Sequence, residues 1–147
     1  DVFIAGMGTG GTVMGFYHYF SQKNNDFKVY PILPDKNEDG KHRIEGIGDS
    51  FIPKIVNLQT LSPILRVNDS DAINIARQIN KLGLSVGISS GANVFGAILK
   101  AENLKAGSNV ATILCDGNKK YLSTDLCSGT TEKLSRDIKI LDYEIIS

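Results

Sequence analysis

Apolar residues arrive in short blocks, and their spacing changes along the chain. Residues 2–5 form an apolar run that reads as a strand. Beyond a glycine-rich stretch, Val13, Phe16, Tyr17 and Phe20 recur at the helical period. Residues 29–33 predict a second strand. Pro31 weakens that assignment, because proline has no amide to give to a central ladder. Residues 34–53 are rich in Gly, Pro, Asp and Asn, and a loop of that length is usually functional. A third strand is expected at 64–67. Asn68 then reads as a helix N-cap, with Asp69 and Asp71 in the first turn. Ala72, Ile75, Ala76 and Ile79 make the buried stripe of that helix, and Gly83 suits its C′ position. Residues 84–88 are short and apolar and predict a fourth strand. Ser89, Ser90 and Gly91 lead into a helix carrying Val94, Phe95, Ile98 and Leu99. Residues 110–114 predict the last core strand, and a late strand is expected at 138–141.

The order β-α-β-loop-β-α-β-α-β predicts an α/β fold, a three-layer mostly parallel sheet with helices on both faces. Residues 1–127 form one domain in this reading. Residues 128–147 form a C-terminal extension that begins as a polar link.

Composition narrows the function classes. Hydrophobic residues at 41% and charged residues at 22% fit a globular domain. Sixteen basic side chains balance sixteen acidic ones, so no net field draws nucleic acid or an anionic membrane. The pair Lys119 and Lys120 is too short to form a patch, and no apolar run approaches the roughly 20 residues of a membrane span. Two cysteines, Cys115 and Cys127, match no zinc spacing and are too few for a disulfide scaffold. They are expected to be free thiols in a reducing, cytoplasmic setting, with Cys115 in the core at the end of a strand. The chain opens at Asp1, without Met and directly on an apolar run, and is expected to be a fragment.

The candidate chemistry lies in the glycine stretch. Gly6, Gly8 and Gly11 fit G-x-G-x-x-G between a strand and a helix, and Asp35 lies near the distance of a ribose-binding acid. Glycines let an anion approach the backbone, and the helix N-terminus offers unpaired amides. A phosphate site follows from this, against the alternative of a plain strand-to-helix turn. Thr9 and Thr12 add two hydroxyl donors, which favours a lone phosphate monoester over a dinucleotide.

Gly8-Thr9-Gly10-Gly11-Thr12 resembles the phosphate loop of the cysteine synthase and cystathionine β-synthase family of pyridoxal-phosphate enzymes. The resemblance continues in Glu45-Gly46-Ile47-Gly48-Asp49-Ser50-Phe51-Ile52-Pro53, in Gly87-Ile88-Ser89-Ser90-Gly91-Ala92, and in Tyr121-Leu122-Ser123-Thr124. The four blocks lie in the family's order over residues 1 to 127. The resemblance implies part of the larger domain of a two-domain, fold-type-II enzyme. It implies that Gly8, Thr9, Gly10, Gly11 and Thr12 hold the phosphate of pyridoxal phosphate and that the Ser89 hydroxyl faces the pyridine nitrogen. Gly46, Ile47 and Gly48 would form a mobile loop on the substrate side. No catalytic residue and no metal ligand is assigned within the chain.

The implied parent is a homodimeric cysteine synthase that makes cysteine from an activated O-acyl-serine and sulfide. Three alternatives stay open: cystathionine β-synthase-type activity, a dinucleotide-binding oxidoreductase domain, and a catalytically silent phosphate-binding module. Glu45 looks more like the cystathionine branch, whereas the Ser89 and Tyr121 blocks look more like cysteine synthase. Asp49 and Ser50 stand where the family usually has Ala-Gly, and subtype differences are expected there. Cys115 and Gly117 also depart from the pattern, although Asp116 fits it. The family's cofactor-anchoring lysine lies in an N-terminal segment without a counterpart here, so the chain alone is expected to be inactive.

Overall fold

The computed structural model describes residues 1–48, 51–128 and 134–146. Asp49 and Ser50, and the link at 129–133, lie outside the described residues. Four strands form one parallel sheet: β1 (Val2–Gly6), β2 (Lys28–Pro34), β3 (Leu65–Val67) and β4 (Val110–Thr112), in the order β3-β2-β1-β4. Helix α1 (Gly11–Ser21) connects β1 to β2, while α2 (Asp69–Lys81) and α3 (Ile88–Ala101) lie between β3 and β4 in sequence. A short 3-10 turn at Asn118–Tyr121 and helix α4 (Asp125–Ser128) follow.

Side chains alternate across the sheet as the strand period requires. Phe3, Ala5 and Val29 point to one face and form a cluster with Val13 and Met14 of α1. Phe3 stacks on Phe16 at 3.6 Å between ring centroids, and burying a side chain of this kind contributes about 1.5–3 kcal/mol. Val2, Ile4, Tyr30 and Ile32 point to the other face, where they meet α2 and α3. Gly91 and Gly96 set the closeness of α3. A Cβ at Gly91 would collide with the backbone of α2 at Ala72, and one at Gly96 with Ile32. Helices therefore cover both faces in three layers, as the alternation of elements predicts.

Pro31 is accommodated without loss. Lys28 N donates to Asp1 O at 3.1 Å and Met7 N to Ile32 O at 2.9 Å, so even-numbered residues of β2 face β1. Pro31 faces the opposite side, where pairing with β3 begins only at Ile32 opposite Leu65. No ladder bond needs its missing amide.

Two expected strands do not form. At residues 84–88, Val86 N donates to Asn80 Oδ1 (3.1 Å), and Val86 O accepts from Asn80 Nδ2 (2.9 Å). A side-chain amide has taken the place of a neighbouring strand, and Ile88 already belongs to α3. At residues 138–141 the same substitution occurs. Gln78 Nε2 donates to Ile138 O (3.0 Å), and Ile140 N donates to Gln78 Oε1 (2.7 Å). Leu134, Ile138 and Ile140 pack against the core by α2. Cys115 is a third correction. β4 ends at Thr112, and the thiol beyond it is exposed rather than in the core; Cys127 is exposed too, and both are free.

Candidate functional site

The carboxyl ends of parallel strands form one rim, where ligands of open α/β sheets bind. The glycine loop leaves β1 at this rim. Gly10 adopts φ 84° as the N-cap of α1, a left-handed conformation suited to glycine, and a Cβ there would also collide with Val56. Met14 N donates to Gly10 O at 3.0 Å. The amides of Gly11, Thr12 and Val13 precede this bond and face out of the helix end. No side chain caps α1, and no acidic residue stands in its first turn. Thr9, Gly11 and Thr12 are exposed. A groove of about 440 Å³ opens beside Gly11 and Thr12 and is otherwise lined by Gly15, Phe16, Tyr19 and Phe20, with Ile113. These residues fit a phosphate dianion: amides that the helix itself leaves without a partner, the positive end of a helix dipole, two hydroxyls, and no acidic residue in the first turn to repel it.

The second loop packs directly on the first. Gly48 N donates to Met7 O at 3.1 Å, and the Gly46 carbonyl lies where a Cβ on Gly8 would have to go. Gly46 and Gly48 have φ of 83° and 80°. Their roles differ. Gly46 has open space around it, whereas Gly48 is wedged against Pro34, and Ile47 is buried against Gly6. Only Gly46 of these three presents an open face. Upstream, Arg43 N donates to Asp69 Oδ1 (2.9 Å), and its guanidinium pairs with Asp69 and Asp125.

Ser89 stands in the first turn of α3 and is buried. Ser90 Oγ accepts from Cys115 N at 2.9 Å, which ties that turn to the exit of β4. One helical turn after Ser89, Asn93 joins three elements. Its Oδ1 accepts from Gly6 N (2.7 Å), and its Nδ2 donates to Ile113 O (2.8 Å). The structure therefore brings the Ser89 turn to the same rim as Gly8 to Thr12. Asn93 was not among the expected site residues. Its signal was a polar residue at i+4 from Ser89 within an apolar helix.

Asp116 completes the rim. Its Oδ2 accepts from Tyr121 OH (3.0 Å) and pairs with Lys120 Nζ (2.5 Å). The hydrogen bond to Asp116 is the main cause that holds the Lys120 ammonium above its ordinary range. Burial, then the Asp116 carboxylate, push the Tyr121 phenol up. Lys119 is exposed, as expected of a solvated lysine, whereas Lys120 is exposed but paired. His18 is exposed on α1, and Asp35 is exposed just beyond β2.

The family model of pyridoxal-phosphate dependent enzymes matches residues 1–116. Cysteine synthase B of Campylobacter jejuni is 42% identical over 132 residues, which are 86% of this chain and 44% of that protein. A hydrogen sulfide-producing enzyme from Fusobacterium nucleatum superposes with a TM-score of 0.84 at 43% identity, over 91% of this chain and 42% of that one. An O-acetylserine dependent cystathionine β-synthase from Helicobacter pylori superposes at 0.77 with 33% identity, over 84% of this chain and 42% of that one. The chain thus spans less than half the length of these relatives. No helix among the described residues is long and apolar enough to cross a membrane. The architecture is that of fold-type-II pyridoxal-phosphate enzymes, and the dinucleotide reading of Gly6, Gly8, Gly11 and Asp35 gives way to it. The chain belongs to the pyridoxal-phosphate dependent enzyme family.

Proposed function

We propose that this chain is the cofactor-phosphate-holding part of a β-replacement enzyme of the cysteine synthase type. One observation carries the reading: an uncapped, acid-free helix N-terminus shares a sheet rim with a buried serine, Ser89. The amides and hydroxyls of Gly8, Thr9, Gly10, Gly11 and Thr12 hold the phosphate. When bound, pyridoxal phosphate supplies the electron sink for bond changes at an amino acid's α- and β-carbons. The Ser89 hydroxyl would meet the pyridine nitrogen of the bound cofactor and leave it unprotonated, where a carboxylate would favour the pyridinium. That moderates the sink, which suits β-elimination and β-replacement. The Gly46–Gly48 loop borders the substrate side, with Gly46 as its open face and Ile47 as its anchor.

The proposed reaction of the full-length parent joins an activated O-acyl-serine to sulfide. Homocysteine as the second substrate is the competing reading, supported by Glu45 and by the Helicobacter pylori structure. The family resemblance also carries the proposals of a homodimeric parent in the cytoplasm and of a chain that is inactive by itself. Titration calorimetry with pyridoxal phosphate and with inorganic phosphate tests the reading. Competition between the two for one site is expected. Absence of binding by either ligand would overturn it.

A further inference from the structure

We propose that Asp116 and Tyr121 are positioning residues that set where the first turn of α3 holds Ser89. The inference rests on the Ser89 reading above and adds the part of the chain that fixes that serine.

The first turn of α3 has no cap of its own. Its N-cap is Gly87, with no side-chain hydrogen bond and no acidic residue in the first turn. The segment after β4 supplies what is missing. Gly87 N donates to Asp116 O at 2.8 Å, and Cys115 N donates to Ser90 Oγ at 2.9 Å. Two bonds therefore flank Ser89, one on either side in sequence. The Asp116 carboxylate then lies close against Gly87. A Cβ at Gly87 would collide with Asp116 Oδ1 and with the Tyr121 ring. Asp116 Oδ1 is buried and has no hydrogen-bond partner among the described residues. A carboxylate oxygen in that position is placed by its other oxygen. Oδ2 is held by Tyr121 OH at 3.0 Å and by Lys120 Nζ at 2.5 Å.

Tyr121 is the fixed point of this arrangement, because it is only 1% exposed, whereas the Lys120 side chain is 60% exposed. The carboxylate brings negative charge to the positive end of α3 from outside the helix. Asp116 thus acts on this helix end by its backbone bond to Gly87 and by its packing and charge, not by hydrogen bonds to the first-turn amides. Loss of the Tyr121 hydroxyl frees the carboxylate to rotate, and the turn carrying Ser89 loses its stop. Neither residue is assigned contact with substrate or cofactor; each acts through Gly87 and Ser89.

The test uses this chain with pyridoxal phosphate as the probe, comparing Tyr121→Phe, Asp116→Asn and Ser89→Ala. The readout is the pH midpoint at which the absorbance of the bound cofactor reports pyridine protonation. Ser89→Ala removes one neutral hydrogen bond and should displace that midpoint by about 0.4 units or more. Tyr121→Phe and Asp116→Asn should displace it in the same direction, and Tyr121→Phe should add nothing in the Ser89→Ala background. Affinity for inorganic phosphate should be unchanged in all three. In the absence of cofactor, amide hydrogen exchange at residues 88–91 should accelerate in Tyr121→Phe. A midpoint moved by Ser89→Ala but not by Tyr121→Phe or Asp116→Asn would overturn the positioning role alone, as would unchanged exchange. A midpoint insensitive to Ser89→Ala would overturn the Ser89 reading and the inference with it.

Discussion

Helices α1 and α2 both begin after a strand of the same parallel sheet, yet their N-termini are built in opposite ways. At α2 the Asn68 side chain accepts from Asp71 N at 2.8 Å, and Asp69 and Asp71 stand in the first turn. Asp71, 1% exposed, also accepts from Ser135 N at 2.7 Å and Ser135 Oγ at 2.6 Å. The chain thus answers this positive helix end with its own carboxylates and uses it to fasten the C-terminal segment. At α1 there is no side-chain cap and no acid, only glycines and two exposed threonines. A helix end satisfied from within is structural. One left unanswered, with glycines that let a ligand approach and two exposed hydroxyls beside it, is arranged for an external anion; α3 also lacks a cap of its own, but the Asp116 carboxylate lies against its N-cap residue, Gly87.

Breaking the α1 end should have the largest effect. Gly10→Asp places a carboxylate beside the expected phosphate. Two like charges about 4 Å apart repel by about 4 kcal/mol at a surface-like dielectric, so affinity for pyridoxal phosphate should fall by a factor of hundreds. Gly10→Asn carries similar backbone strain and crowding against Val56 without the charge. Calorimetry on both variants separates repulsion from distortion: equal losses would mean that Gly10 serves only the fold.

The converse change belongs to α2. Asn68→Ala removes the cap and should lower stability by about 1 kcal/mol in urea unfolding. Phosphate affinity should be untouched. A loss of affinity comparable to that of Gly10→Asp would erase the distinction between the two helix ends.

The α2 end was fully legible in the sequence, because an N-cap is a local device: Asn68, two acids and an apolar stripe lie within a dozen residues. The α1 end was legible for a similar reason, since glycine spacing between a strand and a helix is also local. What escaped was decided across the fold. Residues 84–88 look like a strand by composition, but Asn80 intercepts Val86 from the preceding helix. Residues 138–141 meet Gln78 in the same way. Pro31 looked like a defect and is harmless, because its face of β2 is not yet paired where it stands. Within the site, the four glycine- and serine-containing blocks could be read, but the way they interlock could not. That depends on Asn93 reaching Gly6, on Val56 covering Gly10, and on Asp116 resting against Gly87. These are contacts between residues 46 or 87 apart, or across a close approach that only the absence of a Cβ allows.

The central claim is that the α1 N-terminus is the phosphate site, and backbone amide NMR during a titration with pyridoxal phosphate tests it residue by residue. The account predicts that the largest shifts fall on the amides of Gly8, Thr9, Gly10, Gly11 and Thr12, that Ser89 responds more weakly, and that Asp69 to Asp71 stay still. Shifts centred on α2, or spread evenly over exposed lysines with Gly8 to Thr12 unmoved, would contradict it.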